Sequence, residues 1–563
     1  MNSSSLKIEV VRSSAADSLL ADEGFCIEWA ALAAACPWGT PFQEPGFARC
    51  WYKVYRNQFA PLLVLSRSAD GTLQGLLPLA VSPRADRLVH VGAHQAEYQT
   101  WIALPEHGNR FIWQAVKTLR REVPKANLSF RYLPKDAPIE WLHDPAAQRT
   151  CLLRQHPRPL MVFGDGSDVK ESLGKRGNKS RFRRMERLGK AEFLRIDDPA
   201  TFEAMLDDVV LFYDSRRLAV NGMAPFANDP LKRPFHLEMM KVPGLLHVTA
   251  LTCGGRIASF HLNTRYRRHV QLSLITHNPL LAEFSPGKFH VLMLAKMLME
   301  EGGCEWIDLT PGGDPYKERF ANAWDHVYTL TVFRSSSEKR KAALIESLQD
   351  RTKRALTRWN IRPAQAKEKV IKYARLGPIG LPVALVKHAL GRFGRPQEAS
   401  IYSRDVAKAG NGEAPQVIRR DAIEDLMVYQ PINGGPTRHE FLSDALRRIE
   451  DGQRVYTYAE DGRLLHCAWF APEPPKELIG KALPGFDLPA NSGLVVDCYT
   501  FPSARGRGLG SASLAAMLRD ASEVKDLART FIAVPCGSEQ ARRIVERAGF
   551  AFERSCLRRF SEM

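Results

Sequence analysis

Two hydrophobic periods alternate along this chain. Alternating or unbroken apolar runs of four to eight residues predict strands, and apolar residues three and four apart predict helices. Residues 6–11 predict a strand, with a helix to follow through Cys36. Trp38-Gly-Thr-Pro-Phe-Gln-Glu-Pro45 is turn-rich, and residues 47–55 predict an aromatic helix. Leu62-Leu-Val-Leu65 and Leu73-Gln-Gly-Leu-Leu-Pro-Leu-Ala80 are split by Ala69-Asp-Gly-Thr72, a hairpin signature. Residues 111–119 predict a helix and 128–133 a strand. The first stretch therefore reads as one mixed α/β unit.

The pattern continues with a long helix over 199–217 and strands over 245–252, 256–263 and 270–275, the first two joined by Gly254-Gly255. An apolar helix over 290–299 precedes a buried strand at 305–309. Near the end come helices over 421–427 and 438–450, then strands over 454–459 and 464–470 about Asp461-Gly462. A strand at 496–501 runs into a glycine-rich loop. The loop opens into a helix with Leu514, Met517 and Leu518 on one face.

Length and charge sharpen this picture. A chain of 563 residues exceeds a single core, and several domains are expected. Net charge is +17, and residues 334–395 hold sixteen Lys and Arg against four acids, a surplus of 12. Ala342, Leu344, Ile345, Leu348, Ala355, Leu356 and Trp359 make that segment partly amphipathic. It reads as a basic helical linker, or as a surface for anionic lipid. RNA is disfavoured, because Trp359, Tyr373 and Phe393 are its only large aromatics. Ten scattered cysteines without a C-x-x-C argue against zinc and disulfides and suit a reducing cytosol. Cys498 and Cys536 are expected in the core. No metal is expected. The N-terminus lacks a signal-peptide pattern and no apolar run is long enough to span a membrane, so a cytoplasmic place is expected, with a peripheral one on the inner membrane face as its variant.

The glycine-rich loop carries the clearest chemistry. Arg505, Gly506, Arg507, Gly508, Leu509, Gly510 and Ser511 lead from strand to helix. A helix opening there presents free N–H groups and a positive dipole end, an anion cradle. Arg505-x-x-Gly508-x-Gly510 after an apolar strand resembles the acetyl-coenzyme A pyrophosphate loop of GNAT acyltransferases. The segment from Ser538 to Gly549-Phe550 resembles the closing part of that fold. The resemblance implies acetyl-CoA or another acyl-CoA held by Phe501, residues 505–511 and Ser538, and backbone N–H groups of the 496–501 strand on the thioester carbonyl. Asp497 is the nearest carboxylate for a base. Where the family often has a tyrosine acid and an asparagine, this chain has Val545 and Ser538, and Tyr499 is the substitute for the acid.

Pro41-Phe-Gln-x-Pro45, Gly75-Leu-Leu-Pro-Leu79 and Asp308-Leu-Thr-Pro-Gly-Gly-Asp-Pro-Tyr-Lys317 resemble a second family over residues 35–335. These are the CelD-like acyltransferases of bacterial polysaccharide biosynthesis, relatives of the Fem-type peptidyltransferases, with two GNAT-like lobes. His261, Asp308, Tyr316 and Lys317 are its catalytic candidates, with Lys288 beside them; Glu97 and Tyr98 are weaker. Ser285-Pro-Gly-Lys288 stands where Arg-x-x-Gly-x-Gly would be, so the donor there need not be coenzyme A held in the usual way.

The expected architecture is α/β (α+β type): three GNAT-like mixed-sheet lobes over 1–155, 156–335 and 415–563, with a basic helical linker over 336–414. The expected activity is N-acyl transfer from acyl-CoA to an amine-bearing acceptor, an amino sugar or lipid-linked saccharide. Two rivals stand beside it: Fem-type aminoacyl transfer from charged tRNA, and a non-catalytic acyl-CoA sensor that tethers other proteins to membrane.

Overall fold

The computed structural model describes residues 6–82, 87–358, 397–406, 418–432 and 435–558. The fold is mixed α/β, with open sheets and no barrel among the described residues; two sheets are mixed, and the first, expected to be mixed as well, pairs only antiparallel. The chain divides into two compact units, the first built mainly from residues before 356 and the second mainly from those after.

The first unit holds two sheets. One contains β1 (Ile8–Arg12), β2 (Ala60–Arg67), β3 (Leu73–Ser82), β4 (Arg87–His90) and β5 (Ile102–Ala103), in the order β1-β2-β3-β4 with β5 also on β3. The expected hairpin joins β2 to β3, antiparallel from Ala60↔Val81 to Arg67↔Leu73. Its strands are unbroken apolar runs because both faces are covered. Gly75 has a specific reason: a Cβ there would stand 2.5 Å from the Phe111 ring of helix Gly108–Glu122.

The other sheet contains β6 (Leu128–Pro134), β7 (Cys151–Val162), β8 (Ala191–Ile196), β9 (Leu246–Cys253), β10 (Arg256–Tyr266), β11 (His269–His277), β12 (Trp306–Asp308) and β13 (Ala323–Val332). Its order is β6-β13-β7-β12-β11-β10-β9-β8. β6 was expected with the strands before it, yet it pairs with β13, some two hundred residues later. Local pattern identifies such a strand but not its partner, which is chosen by register and burial. Helix Pro286–Glu301 packs its Val291, Leu292, Leu294, Ala295 and Leu298 against Val270, Leu272 and Ile307.

The second unit holds β14 (Gln397–Asp405), β15 (Arg419–Arg420), β16 (Arg454–Glu460), β17 (Arg463–Ala471), β18 (Ser492–Thr500), β19 (Arg529–Pro535) and β20 (Ala551–Arg558), in the order β15-β16-β17-β18-β19-β14-β20. β14 falls within the stretch expected to be linker. Its polar composition hid it, but Ala399, Ile401, Tyr402 and Ser403 are buried between β19 and β20. Helix Leu509–Ser522 packs Leu514, Met517 and Leu518 on Tyr456, Ala468, Phe470 and Val495. The basic helix over Ser336–Arg358 forms as the amphipathic pattern expects; the rest of that segment to 396 lies outside the described residues.

All ten cysteines are free thiols. Cys498 and Cys536 are exposed, contrary to the core placement expected of them. Cys498 sits at a bulge in β18, and Cys536 lies just past the end of β19 with its thiol 3.4 Å from the Ser400 hydroxyl of β14.

One feature of the first unit has a pH signature. Burial pushes the His247 imidazole down to about 3 and that of His290 well below its ordinary value. Below pH 6.5 the unfolded chain takes up protons that these buried rings refuse. Stability is therefore untouched above that pH and falls below it, by about 1.4 kcal/mol per pH unit for each ring. Urea melts are expected to lose roughly 2–4 kcal/mol between pH 6.5 and pH 5 from these two rings, and His247→Leu is expected to flatten the slope.

Candidate functional site

The third sheet supplies the first site. β18 and β19 are parallel, but only Ser492↔Arg529 to Val495↔Ile532 pair. Beyond Val495 the strands part: β19 continues beside β14, while β18 stays on β17 as far as Thr500. Between Val496↔Trp469 and Tyr499↔Cys467, β18 has two residues, Asp497 and Cys498, where β17 has one, Ala468. This is a bulge, centred on Asp497 at φ +46°. A bulge withdraws a residue's main-chain groups from the ladder. It lies in the β17 pairing of β18, at the level where β18 has already parted from β19.

The anion cradle follows directly. Phe501 is buried, residues Pro502–Ala504 make one 3₁₀ turn, and the chain reaches Gly508 at the N-cap of helix Leu509–Ser522. Gly508 is left-handed at φ +76°, and no side chain caps the helix. The first-turn N–H groups, of Leu509, Gly510 and Ser511, lack acceptors within the helix. A Cβ at Gly506 or Gly508 would meet nothing within 4 Å. That open backbone with aligned donors fits a phosphate. Arg505 is exposed and donates to the Thr500 carbonyl at 3.5 Å. Arg507 is held instead by Glu460 at 2.8 Å and by the Tyr458 hydroxyl at 2.9 Å. The Arg507 hydrogen bonds hold the Glu460 carboxyl down to about 2. Ser538 stands at the N-cap of helix Glu539–Arg547 without a side-chain cap bond, and Val545 is buried in the core.

Asp497 accepts from Arg448 Nη2 at 2.6 Å, and Arg448 Nε reaches Asp444 at 2.7 Å. The carboxylate nearest the strand opening is thus fixed by an ion pair. Tyr499 packs edge-on to Phe501, which meets Tyr429, itself stacked on Phe441 at 3.9 Å. Burial raises the Tyr429 hydroxyl to about 12. His466 lies in register with Thr500 and bonds its hydroxyl at 2.8 Å; burial lowers that imidazole to about 4. Arg448, Tyr429 and His466 were not found in the sequence. Only the Asp444 and Arg448 spacing of four could have signalled the pair.

The second sheet repeats the device. β11 and β12 are parallel and pair only from His269↔Trp306 to Gln271↔Asp308. Ser285, at φ +55°, precedes the helix that starts at Pro286. Lys288 near that start donates to Asn178 Oδ1 at 2.8 Å, and burial together with Arg181, Lys175 and Arg319 lowers its ammonium. This helix end is ringed by cations.

The sequence candidates of this lobe sit elsewhere. Asp308 is fully buried and accepts from the Tyr98 hydroxyl at 2.7 Å, Arg158 Nη1 at 3.4 Å and the Thr310 N–H at 2.7 Å. Arg158 also grips Asp325, its Nε at 2.6 Å. Lys317 donates to the carbonyls of Thr310 at 2.9 Å and Pro311 at 3.1 Å, so it clamps the turn through Gly312 and Gly313. Tyr316 is half-buried in the short helix Pro315–Glu318. His261 is buried under helix Pro286–Glu301, stacked on His290 at 3.7 Å, and His290 meets Thr249 at 2.8 Å. Glu97 pairs with Arg131 at 3.0 Å. The structure therefore gathers Asp308, Lys317 and Tyr98 about one turn and separates them from His261.

In the first sheet β1 to β5 pair only antiparallel, so no parallel pair parts among them. The Gln99 N–H donates to the Arg131 carbonyl at 2.9 Å, and the Gln99 side chain accepts from the Arg131 N–H at 3.0 Å. Gln99, Thr100 and Trp101 are buried there.

Residues 175–318 match a family model described as acetyltransferase (GNAT) domain, and residues 421–550 one described as acetyltransferase (GNAT) family. No curated protein matches the chain. Similar solved structures include a tandem GNAT protein from the clavulanic acid biosynthesis pathway, at 12% identity over 58% of this chain and 99% of that one, with a TM-score of 0.35. L-PGS from Bacillus licheniformis is 11% identical over 56% and 92%, with a TM-score of 0.35. FemX is 11% identical over 55% and 96%, with a TM-score of 0.32.

Asp308→Ala is expected to cost about 3 kcal/mol in urea unfolding, because it strands the buried Tyr98 hydroxyl and half of the Arg158 pairing. A variant of unchanged stability that lost only turnover would give Asp308 a chemical role instead.

Proposed function

Because the chain belongs to the GNAT acyltransferase superfamily through two domains, 175–318 and 421–550, we propose that it transfers an acyl group from acyl-CoA to an amine. The observation that carries this reading is the uncapped helix start at Gly508 beside the parting of β18 and β19. In this reading the N–H groups of residues 509–511 and the Arg505 guanidinium hold the donor's phosphates. The bulge at Asp497 turns main-chain N–H groups toward the thioester carbonyl, stabilising the charge that develops on its oxygen. Arg448 keeps Asp497 in place, so Asp497 acts by holding the bulge. Tyr499, on the same strand, is the group we assign to protonating the leaving thiolate.

We further propose that the acceptor is an amino sugar or a lipid-linked saccharide of cell-envelope polysaccharide, on the resemblance carried by residues 35–335. The helix end at Pro286, with Lys288, Lys175, Arg181 and Arg319, is the second anion site of this reading. It supports a donor or acceptor phosphate in the N-terminal half. The first sheet, with antiparallel pairings only, is assigned no donor in this reading.

Acetyl-CoA at a hundredfold excess over its Kd is expected to add about 2.7 kcal/mol to stability, read as a rise in Tm. Gly508→Trp places an indole in the open cradle and is expected to abolish that rise. Thiol release with a panel of amino sugars then separates the halves: loss in Gly508→Trp alone assigns turnover to the C-terminal domain, and loss in Lys288→Glu alone assigns it to the N-terminal one. An unshifted Tm in the wild-type chain would overturn acyl-CoA binding.

A further inference from the structure

Helix Ser336–Arg358 is amphipathic in an inverted sense. Its inward face is small and polar: Ala342 and Ala343 are half-buried, Glu346 pairs with Arg154 of β7, and Lys339 donates to the Gln148 carbonyl. Its outward face carries the apolar side chains. Leu344 is 63% exposed, Ile345 46% and Leu348 54%. At 100° per residue these three fall within one stripe, and the exposed Arg340, Lys341 and Arg351 fall along the same side. A helix whose only task was to cap the sheet would put leucines inward and charges outward. Leaving three large aliphatic side chains in water costs stability that a docking partner would return.

The chemistry of the stripe selects the partner. Exposed aliphatics flanked by Lys and Arg suit an interface where hydrocarbon and anionic headgroups lie a few ångströms apart. The chain beyond the helix continues the bias, with eight Lys and Arg against one acid over residues 359–396. Large aromatics, which a nucleic-acid surface would use for stacking, are absent from 336–358. We propose that Leu344, Ile345 and Leu348, with Arg340, Lys341 and Arg351, form a docking face for an anionic lipid surface. Binding there is peripheral: no helix among the described residues is long and apolar enough to cross a membrane.

The test is flotation of the intact chain with vesicles of phosphatidylcholine alone and of phosphatidylcholine with phosphatidylglycerol, at low and high salt. The proposal expects flotation only with phosphatidylglycerol, weakened by salt. Leu344→Glu with Ile345→Glu is expected to weaken binding roughly tenfold or more, because two aliphatic anchors are lost. Both sites are exposed, so circular dichroism and Tm are expected to match the wild type. Equal binding to both vesicles, or binding untouched by the double substitution, would overturn the proposal. So would a wild-type dimer in solution that the double substitution splits while vesicles capture neither form; the stripe would then belong to a second copy of the chain.

Discussion

Two parallel strands that stay together for only three or four residues are the constraint on which both strand openings depend. A parallel pair needs a crossover, and here each crossover contains a helix, Pro286–Glu301 in one unit and Leu509–Ser522 in the other. The helix must start near where the strands part. Its unsatisfied N–H groups and the unpaired strand edge are therefore neighbours by construction. The bulge at Asp497, the left-handed Gly508 and the ring of cations about Lys288 are refinements of that constraint. In the first sheet, where β1 to β5 pair only antiparallel, that constraint does not arise.

The N-terminal unit shows how tightly a conspicuous motif can be tied into the fold. The Asp308 to Lys317 segment reads as a site because it concentrates charge, glycine and tyrosine. Its geometry is that of a clamp. Asp308 ties the end of β12 to Arg158 and Tyr98, and Lys317 collects carbonyls that a tight turn would otherwise leave bare. Buried charge of this kind persists when each member is satisfied, and here each is.

Most of the local structure was legible in the chain. The hairpin at residues 60–82, the helix after Gly508 and the helix over 336–358 follow from periodicity and glycine placement alone. The anion cradle was legible too, because its chemistry is main-chain chemistry and glycines advertise it. Pairing partners were not. β6 and β14 join strands far along the chain, and their short, partly polar sequences carry no mark of that choice. Side-chain engagement was equally hidden: whether Arg507 faces a phosphate or Glu460, or His261 a cleft or His290, depends on which residue the fold brings alongside.

The placement of β14 reaches beyond static architecture. This strand leaves the ribosome first in its sheet, and both of its neighbours, β19 and β20, emerge more than a hundred residues later. Until then its edges have nothing to pair with. β15 to β18 pair in chain order and can close early, but the β14 side of the sheet waits for the last two strands. A nascent chain with that timetable carries β14 as an uncovered strand edge until its last two strands are made.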